Sequence, residues 1–79
     1  MFYYAKIQKE DDVYIVTFPD LPNINTFGES IEEALKNAEE ALNGSLESDF
    51  ERGFKFTKPK DYKGEEFYKI YLYPHIVVS

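Results

Sequence analysis

Residues 30–46 constrain the fold of this 79-residue chain more than any other stretch. Ser30-Ile31-Glu32-Glu33 has the form of a capping box: a hydroxyl that accepts from an early helical amide, and a glutamate three residues on that reaches back to the Ser30 amide. Glu29, Glu32 and Glu33 place negative charge at the positive end of the helix dipole. Behind them Ile31, Ala34, Leu35, Ala38, Ala41, Leu42 and Leu46 recur at offsets of three and four, which makes one apolar stripe on an amphipathic helix. Glu32, Lys36, Glu39, Glu40, Asn43 and Glu47 fill the opposite face. Gly44 interrupts the pattern at a cost of about 1 kcal/mol relative to alanine, so the helix stops there or runs on. The reading adopted runs to about Arg52, with Phe50 extending the stripe and Gly53 as the C-terminal cap.

One apolar stripe needs one apolar surface to cover it, and the flanking segments read as strands. Residues 3–9 alternate, with Tyr3, Ala5 and Ile7 on one face and Tyr4, Lys6 and Gln8 on the other. Glu10-Asp11-Asp12 is a turn signal, and residues 13–18 are β-branched and aromatic, so the pair predicts an antiparallel hairpin. Pro19 ends the second strand, and residues 20–23 form a loop. Residues 24–27 make a short third strand ending at Gly28, read as a residue whose backbone angle others avoid. After the helix, residues 54–64 read as a loop, with a short strand over 54–57 as an option. Residues 67–73 alternate again, Tyr68, Ile70 and Leu72 opposing Phe67, Lys69, Tyr71 and Tyr73. Pro74 interrupts this strand, and residues 75–79 are an edge segment or a frayed end. The order is β-β-β-α-β. It predicts a single α+β domain over residues 1–79: a three-stranded antiparallel meander plus a further strand, with one long helix packed on one face.

Fifteen acidic against nine basic side chains leave a net charge of −6. That total argues against nucleic acid as a direct ligand and favours a basic protein partner, solubility being the plain alternative. There is no cysteine, and His75 is the only histidine, so a structural zinc site is disfavoured and no cofactor is expected. A chain this small buries a modest share of its surface, so a homodimer or higher oligomer is the expected support. Seven Tyr and seven Phe exceed what so small a core holds. Tyr4, Tyr71 and Tyr73 are therefore read as oligomer contacts on the sheet face away from the helix, with ordinary cross-strand pairing as the alternative. The N-terminus has no basic-then-apolar leader, and no apolar run nears the ~20 residues of a membrane span, so a cytoplasmic protein is expected.

Three motifs in sequence carry a family resemblance: Tyr4-Ala5-Lys6-Ile7, then Tyr14-Ile15-Val16-Thr17-Phe18-Pro19-Asp20-Leu21-Pro22, then Gly28-Glu29-Ser30-Ile31-Glu32-Glu33-Ala34. Together with Ala38-Glu39-Glu40-Ala41-Leu42 they resemble the N-terminal domain of HicB-type antitoxins over residues 3–53. The resemblance implies a partial ribonuclease-H-like fold used for binding, not cutting. It also implies a partner: a small basic toxin ribonuclease, HicA-like and mRNA-cleaving, whose active site the antitoxin covers. Two departures stand out. Family members often carry a C-terminal DNA-binding segment, and none is expected after the last strand here. Residues 23–27 read Asn-Ile-Asn-Thr-Phe where the family often has glycine and a small residue.

For partner binding the candidates are Phe18, Asp20 and Leu21 in the Phe-Pro-Asp-Leu-Pro segment, and Glu32, Glu39 and Glu40 on the helix. The loop has a structural reading beside this one, in which Asp20 bonds nearby backbone amides as Asp does in turns. The acidic helix face is either simply solvated or meets the basic surface by which a toxin holds RNA. Metal-dependent nuclease chemistry needs several converging carboxylates, and Asp20 and Glu29 flanking a loop do not supply them. His75 has no adjacent nucleophile to serve. A non-catalytic antitoxin is the leading reading; a stand-alone interaction or regulatory module of the same family, without a toxin, is the alternative.

Overall fold

The computed structural model of the chain describes residues 2–51 and 60–74, the side chains of residues 49–51 excepted. Its elements are β1 (Phe2–Glu10), β2 (Val13–Thr17), β3 (Asn25–Gly28), α1 (Ile31–Glu51) and β4 (Phe67–Tyr71). The strands form one antiparallel sheet in the order β3-β2-β1-β4, with α1 packed on one face. The expected α+β meander, with its further strand and single long helix, is what the chain adopts. Arg52, Gly53, the optional strand over 54–57 and the segment 75–79 with His75 lie outside the described residues.

Alternation places the core as the pattern requires. Tyr3, Ala5 and Ile7 of β1, Val16 of β2 and Ile70 of β4 are buried under Ala34, Ala38, Leu42 and Leu46 of the helix. A two-residue turn joins β1 to β2, with Glu10 opposite Val13, and Asp11 takes φ 54°, a left-handed conformation that Asp tolerates better than most side chains. The register Ile7↔Val16 and Tyr3↔Ile70 lines these side chains up on the helix side. The first turn of α1 lies on β3 and its later turns reach β4, so the helix crosses the sheet from one edge strand to the other.

Four details differ from the sequence reading. The Ser30 hydroxyl does accept from the Glu33 amide at 3.1 Å, but the Glu33 carboxylate takes the Glu29 amide at 3.2 Å and not that of Ser30. Gly28 is required by close packing, not by an unusual backbone angle, since the positive-φ glycine among the described residues is Gly64. A Cβ on Gly28 would stand 2.4 Å from the Ala34 nitrogen and 2.8 Å from its Cα, both backbone atoms that cannot move aside. Asn43, assigned to the solvent face, is fully buried. The Tyr73 side chain, assigned to the face away from the helix, packs against the core, because the chain leaves the strand after Tyr71.

Asn43 has a specific reason to be inside. Its Nδ2 donates to the Glu39 carbonyl at 2.9 Å and to the Tyr71 carbonyl at 3.1 Å, while Oδ1 accepts from the Tyr73 amide at 2.7 Å. The side chain thus replaces the sheet partner that the backbone loses as it exits β4. Among the described residues no buried side-chain polar atom is left without a partner.

Candidate functional site

Three surfaces are candidates: the loop after β2, the outward face of α1, and the sheet face opposite the helix. The loop is tied down from both sides. Phe18 is 1% exposed and belongs to the core, which corrects its assignment as a partner contact; its ring is not available at the surface. Leu21 packs half-buried against that core. Backbone bonds from Leu21 to Phe18 at 3.0 Å and from Ile24 to Leu21 at 2.9 Å fold 18–24 into consecutive turns.

Asp20 makes structural bonds, though not the local ones expected of it. Oδ2 accepts from the Lys60 amide at 2.8 Å and Oδ1 from the Tyr62 hydroxyl at 2.7 Å, forty or more residues along the chain. Its charge also acts on neighbouring phenols. The Tyr62 hydroxyl is pushed above its ordinary range, first by the hydrogen bond to Asp20 and then by burial. Tyr3 is raised by burial and, secondarily, by Asp20. Tyr62 escaped the sequence reading because nothing local links it to Asp20.

The outward face of α1 is acidic and accessible. Glu32, Glu33, Glu39, Glu40 and Glu47 are exposed on it, and Glu29 just before it, with Lys36 as the exposed cation among them. Glu39 has a second engagement. Tyr73 is raised by burial first and then by Glu39, which also accepts a hydrogen bond from its hydroxyl. Between the loop and the helix lies an open hollow of about 400 Å³, lined by Asn23, Ile24, Gly44, Ser45 and Ser48. Among the described residues no three His, Cys, Asp or Glu side chains converge as a metal site would require.

The sheet face opposite the helix is aromatic. Tyr4 and Tyr71 lie on it, as alternation predicts, and Tyr71 is 58% exposed. Phe2 packs edge-on against both, at centroid distances of 5.3 and 5.6 Å. Tyr62 stacks on Phe67 at 5.1 Å and meets Tyr4 at 6.1 Å.

Comparison with known proteins decides the kinship. Residues 2–73 match the family described as the HicB-like antitoxin of bacterial toxin–antitoxin systems. The chain belongs to that family. The N-terminal domain of the Burkholderia pseudomallei antitoxin HicB shares 35% identity with this HicB-like chain at a TM-score of 0.69, over 78% of this chain and 74% of that one. The crystal structure of the B. pseudomallei antitoxin HicB itself gives a TM-score of 0.81 at 27% identity, over 98% of this chain and 66% of that one. A 14.9 kDa protein of Haemophilus phage HP1, encoded in the rep-hol intergenic region, is 40% identical over 55 residues, 65% of the HicB-like chain and 41% of the phage protein. The matched region therefore spans less than half of that relative. No helix among the described residues is long and apolar enough to cross a membrane.

Proposed function

We propose that this chain is the antitoxin of a toxin–antitoxin pair: a non-catalytic binder that neutralises a small basic mRNA-cleaving ribonuclease by covering its active site. Its family membership supports the antitoxin role. The observation that carries the mode of binding is the exposed glutamate row of α1, Glu32 and Glu40 among it. These carboxylates would offer a basic toxin surface the negative charge that RNA phosphates otherwise supply. The loop contributes through shape, because Asp20 spends both carboxylate oxygens inside the chain and Leu21 is half-buried.

The test is co-purification with a small basic protein encoded beside the gene, followed by RNA cleavage with and without the chain. A stable complex that suppresses cleavage is expected, and the double reversal Glu32→Lys/Glu40→Lys should weaken it at least about tenfold. Glu39 is left alone because its loss would also release Tyr73. Unchanged affinity in the double variant would sink the helix-face mode. Absence of any complex would leave a stand-alone interaction module of the same family.

A further inference from the structure

Phe27 is a large apolar side chain left 57% exposed, on an edge strand that holds its backbone in place. The next residue, Gly28, is pressed under the Ala34 backbone, and the Asn37 side chain donates to the Phe27 carbonyl at 2.8 Å. Gly28 faces the helix, so alternation turns the Phe27 ring to the opposite side of the sheet. Ile15 stands across from it in the β2–β3 register, and Val13 lies two residues along on the same face, both half-buried. The three form an apolar patch at the β3 edge. Gln8, opposite Ile15, and Lys6, opposite Thr17, lie between this patch and the aromatic cluster over β1 and β4.

The rim of the patch is acidic. Glu10 stands opposite Val13, Asp11 and Asp12 make the exposed turn beside it, and exposed Glu29 follows β3. Glu66 adds a carboxylate on the β1 side, where it accepts from the Gln8 side chain at 3.2 Å. Set against these are Lys6 and, three residues before Glu66, Lys63. Alternation turns Lys9 to the helix side, its ammonium 5.9 Å from the centroid of the Tyr14 ring.

We propose that this patch is the apolar anchor of the toxin interface: Phe27 enters a pocket of the basic partner, Ile15 and Val13 flank it, and the carboxylate rim meets the partner's cations. The inference rests on the antitoxin reading above and adds the side chain that fixes which partner binds. An aromatic anchor ringed by polar contacts is the usual anatomy of a specific interface. A side chain on a backbone already held in place gives up less freedom on docking. Charge selects the occupant. Two copies joined through this patch would set one acidic rim against another, whereas a basic partner is drawn to the same rim. The first turn of α1 lies over β3, so the start of the glutamate row and the patch flank one edge strand.

The experiment titrates the full chain and its variants against the small basic protein encoded beside the gene, reading affinity and association rate. Phe27→Ser should weaken the complex at least about tenfold, and Phe27→Leu, which keeps an apolar side chain there, should retain most of the affinity. Both variants should melt with the wild type, because the ring is exposed. Glu10→Lys should slow association and leave dissociation nearly unchanged, as a rim charge does. Tyr71→Ser, exposed on β4 at the other edge of the sheet, should change nothing. A wild-type complex that Phe27→Ser leaves at full affinity overturns the anchor while the antitoxin reading stands. So does an equal loss from Tyr71→Ser, or a dimer of the chain that Phe27→Ser dissociates, since a second copy would then occupy the patch. No complex with the wild-type chain overturns both readings.

Discussion

Asp20 holds Tyr62 from 42 residues away, its Oδ1 accepting the phenol hydroxyl at 2.7 Å while Oδ2 accepts the Lys60 amide at 2.8 Å. One side chain therefore closes the segment before β4 onto the loop after β2, and it brings Tyr62 over the aromatic sheet face. Replacing Asp20 with alanine should lower stability by about 1–3 kcal/mol, chiefly from the stranded amide and lost charge-assisted bonds. Tyr62→Phe, which keeps the ring and its stacking, should lower the urea midpoint less than Asp20→Ala does. Equal midpoints for Asp20→Ala and the wild type would show that solvent replaces both bonds at no cost.

Asn43 should be the least replaceable polar residue of the helix. Asn43→Ala leaves the Tyr73 amide and the Tyr71 carbonyl without their partner and opens a gap beside Leu42, so a loss of about 2–4 kcal/mol is expected. Asn43→Asp keeps the acceptor for Tyr73 but sets a carboxylate against the Tyr71 and Glu39 carbonyls. It should be at least as damaging. Urea denaturation of the two variants checks both, and an Asp variant as stable as the wild type would contradict the assigned bond directions.

Gly28 and Gly44 should respond to alanine in opposite senses. Gly28→Ala must push the first helical turn off β3, at a cost of about 3 kcal/mol or more. A Cβ on Gly44 meets nothing within 4 Å, so Gly44→Ala should raise stability by about 0.5–1 kcal/mol through helix propensity alone. Thermal melts of the two variants should move to either side of the wild type.

Alkaline pH should weaken the fold. Tyr3, Tyr62 and Tyr73 all hold their protons more tightly in the folded chain than phenols ordinarily do. A group whose folded pKa is raised contributes its stability fully below the unfolded value, about pH 10 for tyrosine. That contribution is lost as pH rises through the folded values, so the melting temperature should fall steeply only above about pH 10. Asp20→Asn, which removes the charge acting on Tyr62 and Tyr3, should make the fall shallower. A flat melting temperature through the phenol range would refute the linkage.

The sequence by itself determined the element order, the strand faces and the helix. Period-two alternation put Tyr3, Ala5 and Ile7 inside, offsets of three and four put Ala34, Ala38, Leu42 and Leu46 over them, and local capping chemistry marked the helix start at Ser30. These signals are legible because each depends on neighbours within one turn or one strand. Tertiary structure alone decided what depends on residues far apart. Asn43 is buried because the helix passes over the end of β4, Gly28 is glycine because the helix backbone descends onto it, and Asp20 turns inward because Lys60 and Tyr62 arrive beside it. The charge total hid the same kind of fact: counting charges gave one acidic protein, whereas packing the helix on one side of the sheet sets its glutamates apart from the aromatic face on the other. Periodicity reports which face a side chain takes; only packing reports what waits on that face.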